Sequence, residues 1–124
     1  MLSIVLLYVG SAVITLWGIA HLVPTMSIVR GFGVISVDNR FIVIMEWIVE
    51  GLFLIFIGLL IFFMTFIAGH STMGARIVYW LCFGMLVTLS ILSFFTGART
   101  SVIPMKICPF VKLLVAAFLV PSMI

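Results

Sequence analysis

From Phe41 to Ala68 the chain runs through apolar residues with only two charged side chains, Glu46 and Glu50. A membrane-crossing helix needs ~20 predominantly apolar residues, and this stretch exceeds that. Residues 2–22, 76–95 and 103–121 have the same character. With 66% hydrophobic and 7% charged residues overall, the chain lacks the charge that covers a soluble domain. In hydrocarbon, backbone groups must be satisfied within each spanning segment, which selects helices here. The expected fold is all-α: a polytopic membrane four-helix bundle forming a single domain over 1–124, with helices at about 2–22, 41–68, 76–95 and 103–121.

The boundaries have local causes. Pro24 ends the first helix, Asp38 or Asn39 caps the second, Gly97 follows the third, and Pro109 either starts or kinks the fourth. At ~1.5 Å per residue the second helix reaches ~42 Å against a hydrocarbon core of ~30 Å, so it tilts or projects. Residues 1–22 carry no basic leader and no A-x-A-like cleavage site, and read as a retained helix. The loop "PTMSIVRGFGVISVDN" is too apolar for ordinary solvent exposure and is expected in the interface or folded partly into the bundle.

A net charge of +3 sets orientation rather than nucleic-acid binding. Arg30 and Arg40 follow the first helix; Arg99 and Lys106 follow the third, with Lys112 just beyond. Arg76 alone marks the other side. The positive-inside rule then places the first group in the cytoplasm and both termini outside a cytoplasmic membrane. Cys82 and Cys108 give no disulfide framework and are expected to be free thiols.

Glu46 and Glu50 are one helical turn apart on one face, and Asn39 lies on roughly the same face if the helix reaches it. A charge at the bilayer centre costs ~2.5–3.5 kcal/mol on insertion scales. The face should therefore point into the bundle, unless the carboxylates are simply solvated at headgroup depth. Counting from helix ends puts Lys112 and His21 in the same depth zone. One polar cluster opening toward the basic loops is expected, with snorkelling of Lys112 and an interfacial His21 as the alternatives. Trp47 and Trp17 flank it and could wall a cationic or flat apolar ligand, or belong to the interfacial aromatic belt.

No Glu-x-x-His pair is present and the two histidines sit near opposite ends, so neither a metal site nor haem is expected. Small-residue stripes (Ser11, Thr15 and Gly18; Gly51, Gly58 and Thr65; Ser90, Ser93 and Gly97) mark close helix contacts. The stripe with Gly51 adjoins the glutamate face, so packing there is expected to bury both glutamates.

At "WGIAHLVPT", "GFGVISVDNR" and "MEWIVEGLFLIFIGLL" the chain resembles small four-helix prokaryotic membrane proteins and, more distantly, is similar to DoxX-like proteins. The likeness implies a quinone or another flat isoprenoid as ligand. It transfers no catalytic residue. Three functions follow from these residues. The first is a binding module for an amphipathic, lipid- or quinone-like ligand, with proton transfer between a carboxylate and His21, so that an enzymatic role stays open. The second is a dimeric proton-coupled transporter of small molecules, although small multidrug transporters carry their glutamate on the first helix and this chain does not. The third is a structural subunit of a membrane complex. The expected partners are the lipid bilayer and a homo-oligomer or membrane-complex partner.

Overall fold

The computed structural model describes residues 1–124. The protein is all-α. Helix α1 spans Leu2–Leu22, α2 Thr25–Gly31, α3 Val37–Phe63, α4 Met73–Phe95 and α5 Ile103–Met123. A π-helical turn, Met64–Ala68, extends α3, and a 3-10 turn, Gly97–Arg99, follows α4. Four of these segments are long and apolar enough to cross a membrane, which makes this a multi-pass integral membrane protein.

Several ends differ from the sequence expectation. The long helix begins at Val37 rather than Phe41, because Ser36 is its cap: the Ser36 Oγ accepts the Asn39 N–H at 3.1 Å. Neither Asp38 nor Asn39 caps it; both lie inside the first turn. Helix α4 starts at Met73, where Thr72 accepts the Ala75 N–H. Helix α5 starts at Ile103 with Pro104 in its first turn, so Pro109 is an interior proline. The first loop contains the short helix α2, which packs against α3. Gly69 and Gly33 adopt φ of +78° and +70°, a backbone state that glycine takes without steric cost.

The helices pack in the spatial order α3, α1, α5, α4. Contact between α1 and α3 is the most extensive, and small residues cause it. A Cβ on Gly18 would lie 2.8 Å from the Gly51 carbonyl oxygen, and one on Gly58 would lie 2.8 Å from the Ser11 carbonyl oxygen and run into the Thr15 hydroxyl. Without a hydrophobic driving force between helices in lipid, such close approach supplies the packing attraction. On the other side, the Ser90 hydroxyl donates to the Pro109 carbonyl at 2.8 Å, tying α4 to α5. The core runs between these pairs through Leu7, Ile14, Leu54, Leu86, Val115 and Leu119, all fully buried.

Helices α3 and α4 are joined by a short turn yet touch little along their length. They meet at the turn end, where the Thr65 hydroxyl bonds the buried Tyr79 hydroxyl at 2.8 Å and donates to the Ile61 carbonyl at 2.7 Å. Toward the basic loops they diverge.

Replacing Gly58 with Ala should destabilise the fold by ~1–3 kcal/mol through overpacking. Gly84→Ala, where the added methyl meets open space, should leave stability unchanged. Thermal unfolding in a maltoside detergent distinguishes the two. Equal midpoints would show that the α1–α3 contact is not the tight one.

Candidate functional site

The divergence of α3 from α4 exposes the one ionic cluster of the bundle. Lys112, from the middle of α5, is fully buried, and its Nζ donates to Glu50 Oε1 at 2.5 Å and to Ser93 Oγ at 2.7 Å. Three helices thus meet at one ammonium group. Helix α1 supplies the fourth member: His21 Nε2 lies 3.7 Å from the other carboxylate oxygen, Glu50 Oε2. That distance is too long for a hydrogen bond, and the buried Nε2 has no other partner. The Glu50 side chain is 30% exposed and that of Lys112 is 0% exposed, so the pair is open to its surroundings only on the carboxylate side.

The aromatic residues fix this geometry. The Trp47 indole stacks on the His21 ring with centroids 4.2 Å apart and planes 12° from parallel. Its N–H donates to the His21 carbonyl at 2.7 Å, so one α3 side chain holds both the ring and the backbone at the end of α1. The Trp17 N–H reaches the Cys108 sulfur at 3.4 Å, a weak acceptor. Trp47 and Trp17 are therefore engaged inside the bundle as well as standing near its end.

Two cavities flank the cluster. A cleft of ≈ 440 Å³ lies between α3 and α4, with Glu46, Trp47 and Glu50 on one wall and Ser93 and Thr96 on the other. A second cavity of ≈ 380 Å³ lies between α1, α2 and the start of α5, with Trp17, His21, Trp47 and Cys108 in its lining. Trp47 and Met105 line both. His21 thus faces one cavity and Glu50 the other, with 3.7 Å between them.

Depth follows from helix rise. At ~1.5 Å per residue, His21, Glu50 and Ser93 each stand ~27–30 Å from the far ends of their helices. Lys112, on the longer reach of its side chain, starts only ~16 Å from the far end of α5, so the cluster occupies the loop-side half of the bundle.

Of the residues singled out in the sequence, Glu50, Lys112, His21 and Trp47 come together. Glu46 does not join them. It lines the cleft with its side chain exposed and makes no salt bridge, which corrects the expectation that packing would bury both glutamates. A step of four residues advances a helix by ~40° beyond a full turn, enough to turn Glu46 from the α1 contact into the cleft. Asn39 is exposed in the first turn of α3 and takes no part in the cluster. Lys112 does not snorkel. Ser93, read in the sequence only as a packing residue, is an acceptor in the cluster. Its place on the Ser90–Ser93–Gly97 stripe facing α5 is the signal that could have found it.

Nowhere do three His, Cys, Asp or Glu side chains converge as metal ligands would. Both cysteines are buried and free. Comparison with known protein families, with curated proteins and with solved structures finds no match to this chain.

The two partners of the ion pair should respond unequally to removal. Glu50→Gln strands a fully buried ammonium and should cost ~3–5 kcal/mol. Lys112→Met leaves a carboxylate that is already 30% exposed and should cost less than half as much. The double variant Glu50→Leu, Lys112→Leu should recover most of the loss, since an apolar pair replaces a buried ionic one at little cost. Unfolding of the three proteins in detergent tests this order; equal single-variant losses would contradict the asymmetric burial.

Proposed function

We propose that this membrane protein binds an amphipathic, lipid- or quinone-like molecule in the cleft between α3 and α4, against the Glu50–Lys112–His21 cluster. The cleft carries the reading. Its ≈ 440 Å³ falls within the ~300–1,000 Å³ of small-molecule sites, and it has their usual make-up of apolar walls with a few polar groups. A molecule entering between the helices meets the Glu50 carboxylate, whose Oε1 is held by Lys112 and whose Oε2 lies 3.7 Å from His21 Nε2. A carboxylate backed by an imidazole is suited to exchanging a proton with a bound hydroxyl or carbonyl. The resemblance to DoxX-like proteins adds a quinone to the ligands of this shape. With the basic loops in the cytoplasm and both termini outside, the cleft opens at the cytoplasmic leaflet of the cytoplasmic membrane.

A second reading has its own observation. Lys112 is closed onto Glu50 and Ser93 across three helices, as it would be in a subunit whose polar cluster only fixes packing. On that reading the purified protein retains no specific molecule, and Glu50 variants affect assembly and stability alone.

Organic extraction of the protein purified in mild detergent, followed by mass spectrometry, separates the two. A retained quinone or lipid in near-stoichiometric amount is expected. It should be lost from Leu89→Trp, which fills the deep end of the cleft while leaving the ion pair in place. Wild-type protein that carries nothing beyond the bulk lipid profile would overturn the binding reading in favour of the structural one.

A further inference from the structure

The inner end of the cleft is apolar. On α3 its wall passes from Glu46 through Trp47 and Glu50 down to Phe53, and on α4 from Thr96 through Ser93 down to Leu89. The outer rim sets the Glu46 carboxylate among Ile42, Val43 and Met105. An apolar chain fits the inner end, and the one charged side chain on the wall without a partner, Glu46, lies above it.

The charge at the outer end is uncompensated. Glu50 is neutralised by Lys112. Glu46 has neither a salt bridge nor a hydrogen-bonded donor within the chain, and no Lys or Arg lines the cleft. Glu46 stands about 6 Å outward of Glu50 along α3, toward the basic loops. A carboxylate on a largely apolar wall with no partner of its own gains a charge-assisted hydrogen bond from a cationic donor brought to it.

From the cavity, its apolar inner end and its one unpaired carboxylate together we infer that the head of the bound molecule is an ammonium group, held by Glu46, with its apolar chain along Phe53 and Leu89. The inference rests on the binding reading above and narrows it to cationic amphiphiles. The same chemistry is offered by a membrane aminolipid and by a freely diffusing lipophilic amine. A neutral quinone would leave Glu46 without a counter-charge.

The test uses Trp47 as the reporter in a Trp17→Phe, Trp80→Phe background; because Trp47 lines both cavities, quenching counts as cleft binding where Leu89→Phe, at the inner end of the cleft, weakens it. In nonionic maltoside micelles the protein is titrated with a terminally brominated alkylammonium, the alkanol of equal chain length, and the matching carboxylate. The alkylammonium should quench Trp47 at about fivefold or more lower concentration than the alkanol, as a charge-assisted contact predicts. Glu46→Gln should erase that preference while leaving alkanol quenching unchanged. Equal quenching by ammonium and alkanol, or preference for the carboxylate, would overturn the ammonium assignment and leave the cleft standing as a site. No quenching by any of the three would overturn the binding reading itself. Where the ammonium preference holds, lipid extracted from the native-membrane preparation identifies the source. Aminolipid enriched over the bulk membrane and lost in Glu46→Gln marks the bilayer's own lipid; no enrichment marks a diffusing amine.

Discussion

One ammonium group holds the two halves of this bundle together on the loop side. Helices α1 and α3 form one tightly packed pair and α4 and α5 another, and the pairs join through α1 and α5. Near the basic loops α3 would have little to fix it to the second pair without Lys112, which reaches from α5 to Glu50 on α3 while also engaging Ser93 on α4. Removing a lysine from water is expensive unless its hydrogens are paired. Here two go to good acceptors, and a third helix places His21 beside the same carboxylate. The position of every helix at this end is therefore tied to one buried charge. The partly exposed carboxylate is the side from which that arrangement can be altered.

The cleft is a consequence of where the small residues fall. Gly51 and Gly58 face Gly18, Thr15 and Ser11, so the close-packing surface of α3 is spent on α1. Ser90 and Ser93, with Gly97 against Met105, do the same for α4 on α5. Each pair is drawn inward on itself, and the facing surfaces of α3 and α4 are left with large side chains such as Phe53, Leu89 and Leu92 that do not interdigitate. At the turn end the hydrogen bond between Thr65 and Tyr79 closes the gap. Divergence is thus confined to the half that holds the glutamates.

Much of this was legible in the sequence because hydropathy and helix rise act over long stretches. Four spans follow from apolar length alone, and counting from their ends brings Glu50, Lys112 and His21 to one level. What failed was local. The cap fell to Ser36 because its hydroxyl reaches the Asn39 N–H, a choice among neighbouring polar residues that composition does not make. Glu46 and Glu50 look equivalent by spacing, yet a rotation of ~40° separates a bundle-facing carboxylate from a cleft-facing one. Which face of α3 meets α1 decides the difference, and that depends on contacts remote in sequence. The twin role of Trp47, stacking on His21 and bonding its carbonyl, could not be told from a tryptophan in the interfacial belt, because both place an indole at the same depth.

Depth also weighs on what such a cluster can do. In the loop-side half of the bundle the cleft is open beside Glu46, whose side chain is exposed. Access from the opposite side is another matter. The far half is filled by Leu7, Ile61, Leu86 and Leu119 and closed by Thr65 and Tyr79, all buried. A transporter would have to part α3 from α4 there, breaking the Thr65–Tyr79 bond and exposing an apolar core that helix-to-helix packing holds. A site that takes up and holds an amphiphile from one leaflet requires no such movement.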